Sequence, residues 1–261
     1  MRSAEGRARA WWSTSFSERL IADGLVLLAL AGWFVMSRSM PSYLFPDIPA
    51  VARAMASLLF DPAFATHTAA SVGRIVLSIT LALLLGGVLA LIPRYVPAAN
   101  EFIHERVKPV LNSFPSVGWA LLGSIWFGVS DLAVIFIQVA ILAPFALINI
   151  SEGLREMDAD NQEMAHSFSR RRTSIFTLVI FPMLYPYIVA ALRIAYGVAW
   201  KVSLVSELFG AQTGLGYLLM DAQGKGRIDL VFAICLAIVV FYVVGEKLIV
   251  DPLSRRYRGG Q

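Results

Sequence analysis

Long apolar runs alternate with short charged segments along the chain. Three runs contain no charged residue and are long enough to cross a bilayer as helices, which takes roughly 20 apolar residues: Ile75–Ile92, Pro109–Ser130 and Leu132–Ser151. Two further runs, Leu20–Ser37 and Leu230–Gly245, are nearly as apolar. Helices of soluble domains carry a polar face instead, so the pattern predicts five membrane-spanning helices.

A sixth predicted span differs from the others because it contains charged side chains. It runs from about Met183 to Phe209 and carries Arg193, Lys201 and Glu207. Ionisable residues at membrane depth usually face protein or a water-filled cavity. We therefore expect this helix to face away from lipid.

The segment between the first two spans is predicted to stay outside the bilayer. Prolines interrupt Met40–Ser71, and only Ala50–Phe60 has the pattern of a short amphipathic helix. We expect a connector on the outer surface that carries this one helix.

Composition supports a membrane protein. Apolar residues make up 57% of the chain and charged residues only 15%, with a mean hydropathy of +0.68. Soluble domains have roughly 45–50% apolar and about 25% charged residues. The excess rules out a disordered chain and a basic nucleic-acid-binding domain, and the single cysteine rules out a disulfide-rich module.

The basic residues indicate the orientation. With six crossings and a cytoplasmic N-terminus, 15 Lys and Arg residues fall inside and five outside. Cytoplasmic loops of membrane proteins carry such an excess, so both termini are predicted to be cytoplasmic. The predicted organisation is an N-terminal segment (1–19), a membrane domain (20–253) with a cytoplasmic loop (152–182), and a tail (254–261). The outer basic residues are Arg38, Arg53, Arg74, Lys225 and Arg227.

No catalytic, metal or nucleotide motif is recognisable. Gly224-Lys225 lacks the other residues of a phosphate-binding loop, and the chain has no G-x-S-x-G sequence. The histidines are far apart, so we expect solvated loop positions and no shared metal site: His67, His104 and His166. The chain is therefore predicted to be no enzyme, to hold no cofactor or metal, and to bind no nucleic acid.

The longest cytoplasmic loop, Glu152–Phe181, has an ordered pattern. An acidic segment, a break near Ser167 and Ser169, three arginines and an apolar segment indicate two short helices that meet at a turn. From the residues alone, two interpretations stay open: a solvated loop held by arginines at lipid headgroups, or an element that docks on a partner.

A resemblance to a known family favours the second interpretation, in which the loop docks on a partner. Glu163-Met164-Ala165, Ser169 and Val179-Ile180-Phe181-Pro182 resemble the EAA loop of binding-protein-dependent ABC importer permeases. That pattern is EAA, three residues, Gly, nine residues, Ile, one residue and Leu-Pro. The spacing fits throughout, while Met164 replaces the second Ala and Ser169 replaces the Gly. By this resemblance the residues that couple the chain to an ATPase are Glu163, Met164, Ala165, Ser169, Arg170 and Pro182.

The resemblance covers about residues 20 to 255. The runs PSVGWALLGSIWFGVSD, KVSLVSELFGA and TGLGYLLMDAQ are similar to the nitrate, sulfonate and taurine type of permease. This implies an all-α, type I (MetI-like) fold with six helices in a bacterial inner membrane. It also implies a second permease chain, most often a copy of the first, a periplasmic binding protein, and a dimer of cytoplasmic ATPase subunits that would bind ATP and Mg²⁺.

Candidate pathway residues lie on the third and fifth spans. Arg193 and Trp200 are seven residues apart and share a helix face with Gly197, while Glu207 projects elsewhere. The candidates are Asn112, Pro115, Trp119, Arg193, Trp200, Lys201 and Glu207.

Several alternatives for these residues stay open. Arg193 can reach the membrane surface, and Lys201 can pair with Glu207 of another copy. Pro115 can serve only as a kink. The turn Thr213–Tyr217 is predicted to be a re-entrant or surface element on the outer side.

The predicted function is the permease subunit of an ATP-driven importer, and the predicted solute is a small anion of the sulfonate, taurine or nitrate type. The alternative is a secondary active transporter that works without an ATPase. Such a carrier is expected to have discontinuous spans in two related halves, and the halves of this sequence show no such match.

Overall fold

The computed structural model describes residues 2–156 and 176–258, and residues 2–19, 22, 176, 178 and 255–258 only by their backbone. The regular structure of these ranges is helical. In chain order the helices are α1 (Arg2–Ser39), α2 (Ile48–Phe60), α3 (Pro62–Tyr95), α4 (Ala99–Ser113), α5 (Ser116–Phe127), α6 (Asp131–Arg155), α7 (Phe181–Gly210), α8 (Leu215–Gly224), α9 (Ile228–Gly245) and α10 (Asp251–Arg258). Wider π-helical turns lie at Phe102–Val107, Phe176–Ile180 and Glu246–Val250.

Four helices are long and apolar enough to cross a membrane: α3, α6, α7 and the stretch Ile228–Ser254 that begins with α9. The pair α4 and α5 makes a fifth candidate. These confirm the predicted spans at 75–92, 132–151, 183–209 and 230–245. The run Leu20–Ser37 lies within helix α1, and its crossing of the membrane stays a prediction.

The predicted span Pro109–Ser130 is not one continuous helix. The axes of α4 and α5 meet at an angle of 87°. Proline has no N–H to donate, and its ring disfavours helical geometry in the residue before it. Accordingly Phe114 and Pro115 have extended backbone, with ψ angles of 127° and 136°. The helix is thus interrupted at Pro115, where a kink was predicted, and the pair can still make one broken span.

The connector before α3 is shorter than predicted. The expected amphipathic helix is confirmed as α2, but α3 begins at Pro62, well before Ile75. The Asp61 carboxylate accepts a hydrogen bond of 2.9 Å from the Ala63 N–H and caps the helix. Because the predicted span was limited to uncharged residues, it stopped at Arg74 and missed the first turns of α3.

Helix α6 is the centre of the bundle. It packs along α3 on one side and α7 on the other, and Ala133, Val134 and Ile137 are fully buried. At Gly86 of α3 an added Cβ would lie 2.6 Å from the Cβ of Ala146. A side chain there would push the helices apart. Such close approach replaces the hydrophobic effect as a source of helix association in lipid.

Helix α1 is attached at the periphery. The Trp33 Nε1 group donates a hydrogen bond of 3.0 Å to the Pro46 carbonyl. The Trp33 ring also contacts Phe45 and Phe232, with centroid distances of 5.8 and 5.4 Å. Most other apolar side chains described on α1 are exposed, as expected for a helix that faces lipid.

Candidate functional site

A groove of about 540 Å³ runs between α7 and α9. Helix α7 contributes Arg193, Gly197 and Trp200 to its wall, which agrees with the helix face that they were predicted to share. The groove is also lined by Ile194, Val198, Lys201, Leu204, Ile238, Val239 and Tyr242. It is therefore mostly apolar, with two cationic side chains.

Lys201 is an exposed cation in this groove. No Asp or Glu is among the groove-lining residues, and within the described ranges Lys201 makes no ion pair. A cation with no local counter-charge in an apolar groove attracts anions more strongly than one in bulk water, because the surroundings screen it less.

Arg193, at one end of the groove, is neutralised by partners. Its Nη2 lies 2.6 Å from Asp251 Oδ1 and its Nε lies 3.7 Å from Glu246 Oε1. The side chain is 50% exposed. The acids that hold it follow α9, so these two contacts join α7 to the C-terminal segment. Sequence analysis missed both partners because they lie more than 50 residues away.

Aromatic pairs form the wall between α7 and α9. Trp200 is only 6% exposed and stacks on Phe241, with ring centroids 6.1 Å apart. Tyr196 stacks on Tyr242 at 5.6 Å, and its hydroxyl donates a hydrogen bond of 3.0 Å to the Tyr242 carbonyl. These contacts pack α7 against α9, and Trp200 contributes mainly packing.

Glu207 does not line the groove, which agrees with its predicted position on another face of the helix. Its carboxylate is 1% exposed and accepts hydrogen bonds of 2.7 and 2.9 Å from the Ser71 hydroxyl. It also accepts a hydrogen bond of 3.1 Å from Arg74 Nη1 and one of 2.8 Å from the Gly216 N–H. These partners belong to its own chain, which argues against the alternative pairing with Lys201 of another copy.

Arg74 is the centre of this network rather than a loop cation. Its Nε donates a hydrogen bond of 3.0 Å to Asp131 Oδ1. Its Nη1 donates one of 2.8 Å to the Thr213 carbonyl, and its Nη2 donates one of 2.6 Å to the Thr213 hydroxyl. The guanidinium is 7% exposed, whereas Asp131 is 74% exposed. A buried charge in an apolar helix needs a partner, but sequence alone gives no sign of which one.

His67 also belongs to this region and is not in a solvated loop as predicted. Its Nδ1 accepts a hydrogen bond of 3.1 Å from the Gly214 N–H. Its ring stacks on Tyr217 at 5.9 Å. The predicted turn Thr213–Tyr217 forms the beginning of α8. Its first N–H groups, at residues 214, 215 and 216, donate hydrogen bonds to His67, Ser71 and Glu207 in that order.

The other predicted pathway residues lie elsewhere. Asn112 is exposed and borders a polar recess of about 450 Å³ beside α4 and α6. Pro115 is exposed at the bend between α4 and α5. Trp119 is half-buried against Phe114, with ring centroids 4.6 Å apart. Within this chain, none of the three borders the groove of Lys201.

Most of the predicted coupling residues lie outside the described residues: Glu163, Met164, Ala165, Ser169 and Arg170. Pro182 is exposed in the first turn of α7. Near the two ends of the loop, the Tyr187 hydroxyl donates a hydrogen bond to Glu156 Oε2. The base of α7 is thereby fastened to the end of α6.

Comparisons with known proteins agree with the residue patterns. Residues 25–259 match the family described as "Binding-protein-dependent transport system inner membrane component". The chain is 29% identical over 259 residues to the taurine transport system permease protein TauC of Escherichia coli (strain K12), covering 94% of this chain and 90% of that protein.

Two other relatives and one solved structure are also similar to this chain. A probable ABC transporter permease protein of Haemophilus influenzae is 30% identical over 82% of this chain and 86% of its own length. The nitrate import permease protein NrtB of Synechococcus elongatus is 26% identical over 66% of this chain and 63% of its own length. A crystal structure of an amino acid ABC transporter has the same fold, with a TM-score of 0.61, 18% identity, and coverage of 77% of this chain and 97% of that one.

Proposed function

The chain belongs to the binding-protein-dependent transport system inner membrane component family, and from that premise we propose the solute, the partners and the moving parts of this importer. As an ABC transporter permease it is a multi-pass membrane protein that translocates a solute and is not itself an enzyme. The proposal is that it carries a small anion through a pathway formed with a second copy of itself.

The charge of the groove supports an anionic solute. Lys201 is exposed there without an acidic neighbour, while Arg193 is already paired with two carboxylates. Lys201 is therefore the group that would attract a sulfonate or nitrate, and the aromatic wall would pack against an apolar body. Relatives named for the import of taurine, aliphatic sulfonates and nitrate are consistent with this choice. Asn112, Pro115 and Trp119 would line the pathway on the third span.

The proposed partners are an ATPase dimer on the cytoplasmic side and a periplasmic binding protein. Glu163 would pair with a basic group on the ATPase, and Ala165 would allow close approach. Met164, Ser169, Arg170 and Pro182 would complete the docking loop. The support is the family spacing of this loop and the contact between Tyr187 and Glu156 at its base. ATP and Mg²⁺ would bind to the ATPase.

The proposed topology has six spans, with both termini cytoplasmic in a bacterial inner membrane. The excess of Lys and Arg in the inner loops supports it. In this arrangement movement of the ATPase would reach α6 and α7 together through the docking loop, because the ends of the two helices are joined. The groove wall on α7 would then move with the loop.

The test is solute uptake into proteoliposomes that contain the permease, its ATPase and its binding protein. Taurine, ethanesulfonate and nitrate are supplied as labelled solutes, with and without ATP. We expect ATP-dependent uptake of at least one anion, and a reduction of about tenfold in Lys201→Ala, the range of one charge-assisted contact. Lys225→Ala is the control, because Lys225 is bound to Asp221 on α8. Uptake by the permease alone, driven by an ion gradient, would contradict the proposal.

A further inference from the structure

Glu207 and Arg74 form a buried ion pair, and removing their charges from water has a high free-energy cost. Both side chains are at least nine-tenths buried in helices of an apolar bundle. Removing two charges from water costs more than a single pairing returns, unless further hydrogen bonds satisfy them. Here each charge has several partners, on α3, α6, α7 and the beginning of α8. The network thus fixes four segments relative to one another.

The beginning of α8 is built around the Glu207 carboxylate. Gly214 has a φ of +115°, and a Cβ there would lie 2.4 Å from Glu207 Oε2. At Gly216 a Cβ would lie 2.7 Å from the Leu204 carbonyl oxygen and 2.8 Å from the Glu207 Cβ. Both positions therefore require glycine. The carboxylate also faces the N-terminus of α8, where the helix dipole favours a negative charge.

Only one layer of side chains separates this carboxylate from the groove. A cavity of about 10 Å³ next to Glu207 is bordered by Trp200, Leu204 and Ile238, and the same three residues line the groove. A space of this size holds at most one water molecule. No solute reaches Glu207 through it, but a displacement of α8 would move Leu204, on whose carbonyl Gly216 packs.

We infer that Glu207 and Arg74 are positioning residues for translocation, which hold the beginning of α8 against α7 and so set the groove wall of Trp200 and Leu204. This inference rests on the proposed function. The network acts on the solute only through the wall, since neither charged group borders the groove. Its loss is expected to disturb how the groove responds to solute delivery, in addition to any effect on folding.

The test uses the whole transporter in proteoliposomes. The rate of ATP hydrolysis is measured twice, once with the binding protein and once without it. The binding protein is loaded from a mixture of taurine, ethanesulfonate and nitrate. The measured quantity is the ratio of the first rate to the second. This ratio does not depend on how much complex survives, because loss of folded complex lowers both rates equally. The variants are Glu207→Gln and Thr213→Val. The control is Asp229→Asn, since Asp229 contacts Arg227 and is not part of the network.

We expect the ratio to fall about tenfold in Glu207→Gln, within the range typical of coupling between two sites. In Thr213→Val it should fall about threefold, because one hydrogen bond of Arg74 at an exposed turn is lost while the chain still folds. The control should retain the wild-type ratio.

A wild-type ratio in both variants would show that the network only stabilises the fold and would overturn the inference. If Glu207→Gln does not assemble, Thr213→Val alone decides between these results. Absence of any stimulation in the wild-type transporter would instead overturn the proposed function, and the inference with it.

Discussion

Two ionisable residues of α7, Lys201 and Glu207, lie six positions apart in sequence but in opposite environments. Lys201 is exposed in an apolar groove without an acidic neighbour. Glu207 is buried and bound to Ser71, Arg74 and Gly216. The helix thus has one face whose charge remains available to a ligand and one whose charge is used up within the chain. Membrane depth alone does not make an ionisable residue part of a pathway.

The residues next to Glu207 repeat this contrast in uncharged form. Ser203 and Ser206 are buried, and Gln138 of α6 donates to their hydroxyls at 3.4 and 3.3 Å. Polar side chains on this face of α7 therefore bind helix to helix. On the groove face the side chains are apolar, aromatic or cationic. The two faces of α7 should therefore differ in how much their side chains contribute to the free energy of unfolding, which can be measured.

The largest effect is expected from Arg74→Met. It leaves Glu207 buried without its cation, which costs about 3–5 kcal/mol in the free energy of unfolding. The measurement is reversible denaturation of the purified permease in mixed micelles. Arg53→Met is the control, because the exposed Arg53 on α2 contacts only a nearby carbonyl among the described residues. Equal stability of the two variants would remove the contrast between the faces of α7.

A smaller effect is expected from Gly214→Ala. The added Cβ meets the Glu207 carboxylate and the positive φ is unfavourable for alanine, so we expect a loss of about 1–3 kcal/mol. Gly24→Ala on α1 is the control, since no atom lies within 4 Å of its added Cβ. A helical alanine there should be neutral or stabilising. If Gly214→Ala were as stable as its control, the turn would not be built around the carboxylate.

The smallest effect is expected from Lys201→Met. The side chain is exposed and unpaired within the described ranges, so the free energy of unfolding should change by no more than about 0.5 kcal/mol. The same denaturation experiment measures it. A loss comparable to that of Arg74→Met would mean that Lys201 has a structural partner, and the groove would lose its free cation.

Sequence reasoning succeeded where the information is local. Uncharged runs located three spans, an apolar run with three charged residues located a fourth, and the proline pattern located α2. It failed where a charge was used as a boundary: Arg74 was counted among the outer basic residues and ended the span, although α3 begins at Pro62. It placed the interruption at Pro115 correctly, but the angle of 87° between α4 and α5 was not predictable from the sequence.

The candidate site was predictable only in part. A shared helix face placed Arg193, Gly197 and Trp200 together, because helical spacing is a local property. The partners of Arg74 lie 57, 133 and 139 residues away, and no local pattern encodes such distances. The docking loop was predicted from the spacing of a motif, and its coupling residues Glu163–Arg170 stay a prediction.

The ion pairs that hold Arg193 have a practical consequence for protein engineering. Asp251 and Glu246 belong to the segment that follows α9, yet they neutralise a guanidinium at the mouth of the groove. Ending the chain before Glu246, or fusing a reporter there, would remove both carboxylates and leave a second unpaired positive charge at the groove. Tags that are meant to leave the charge of the groove unchanged therefore belong after the last helix.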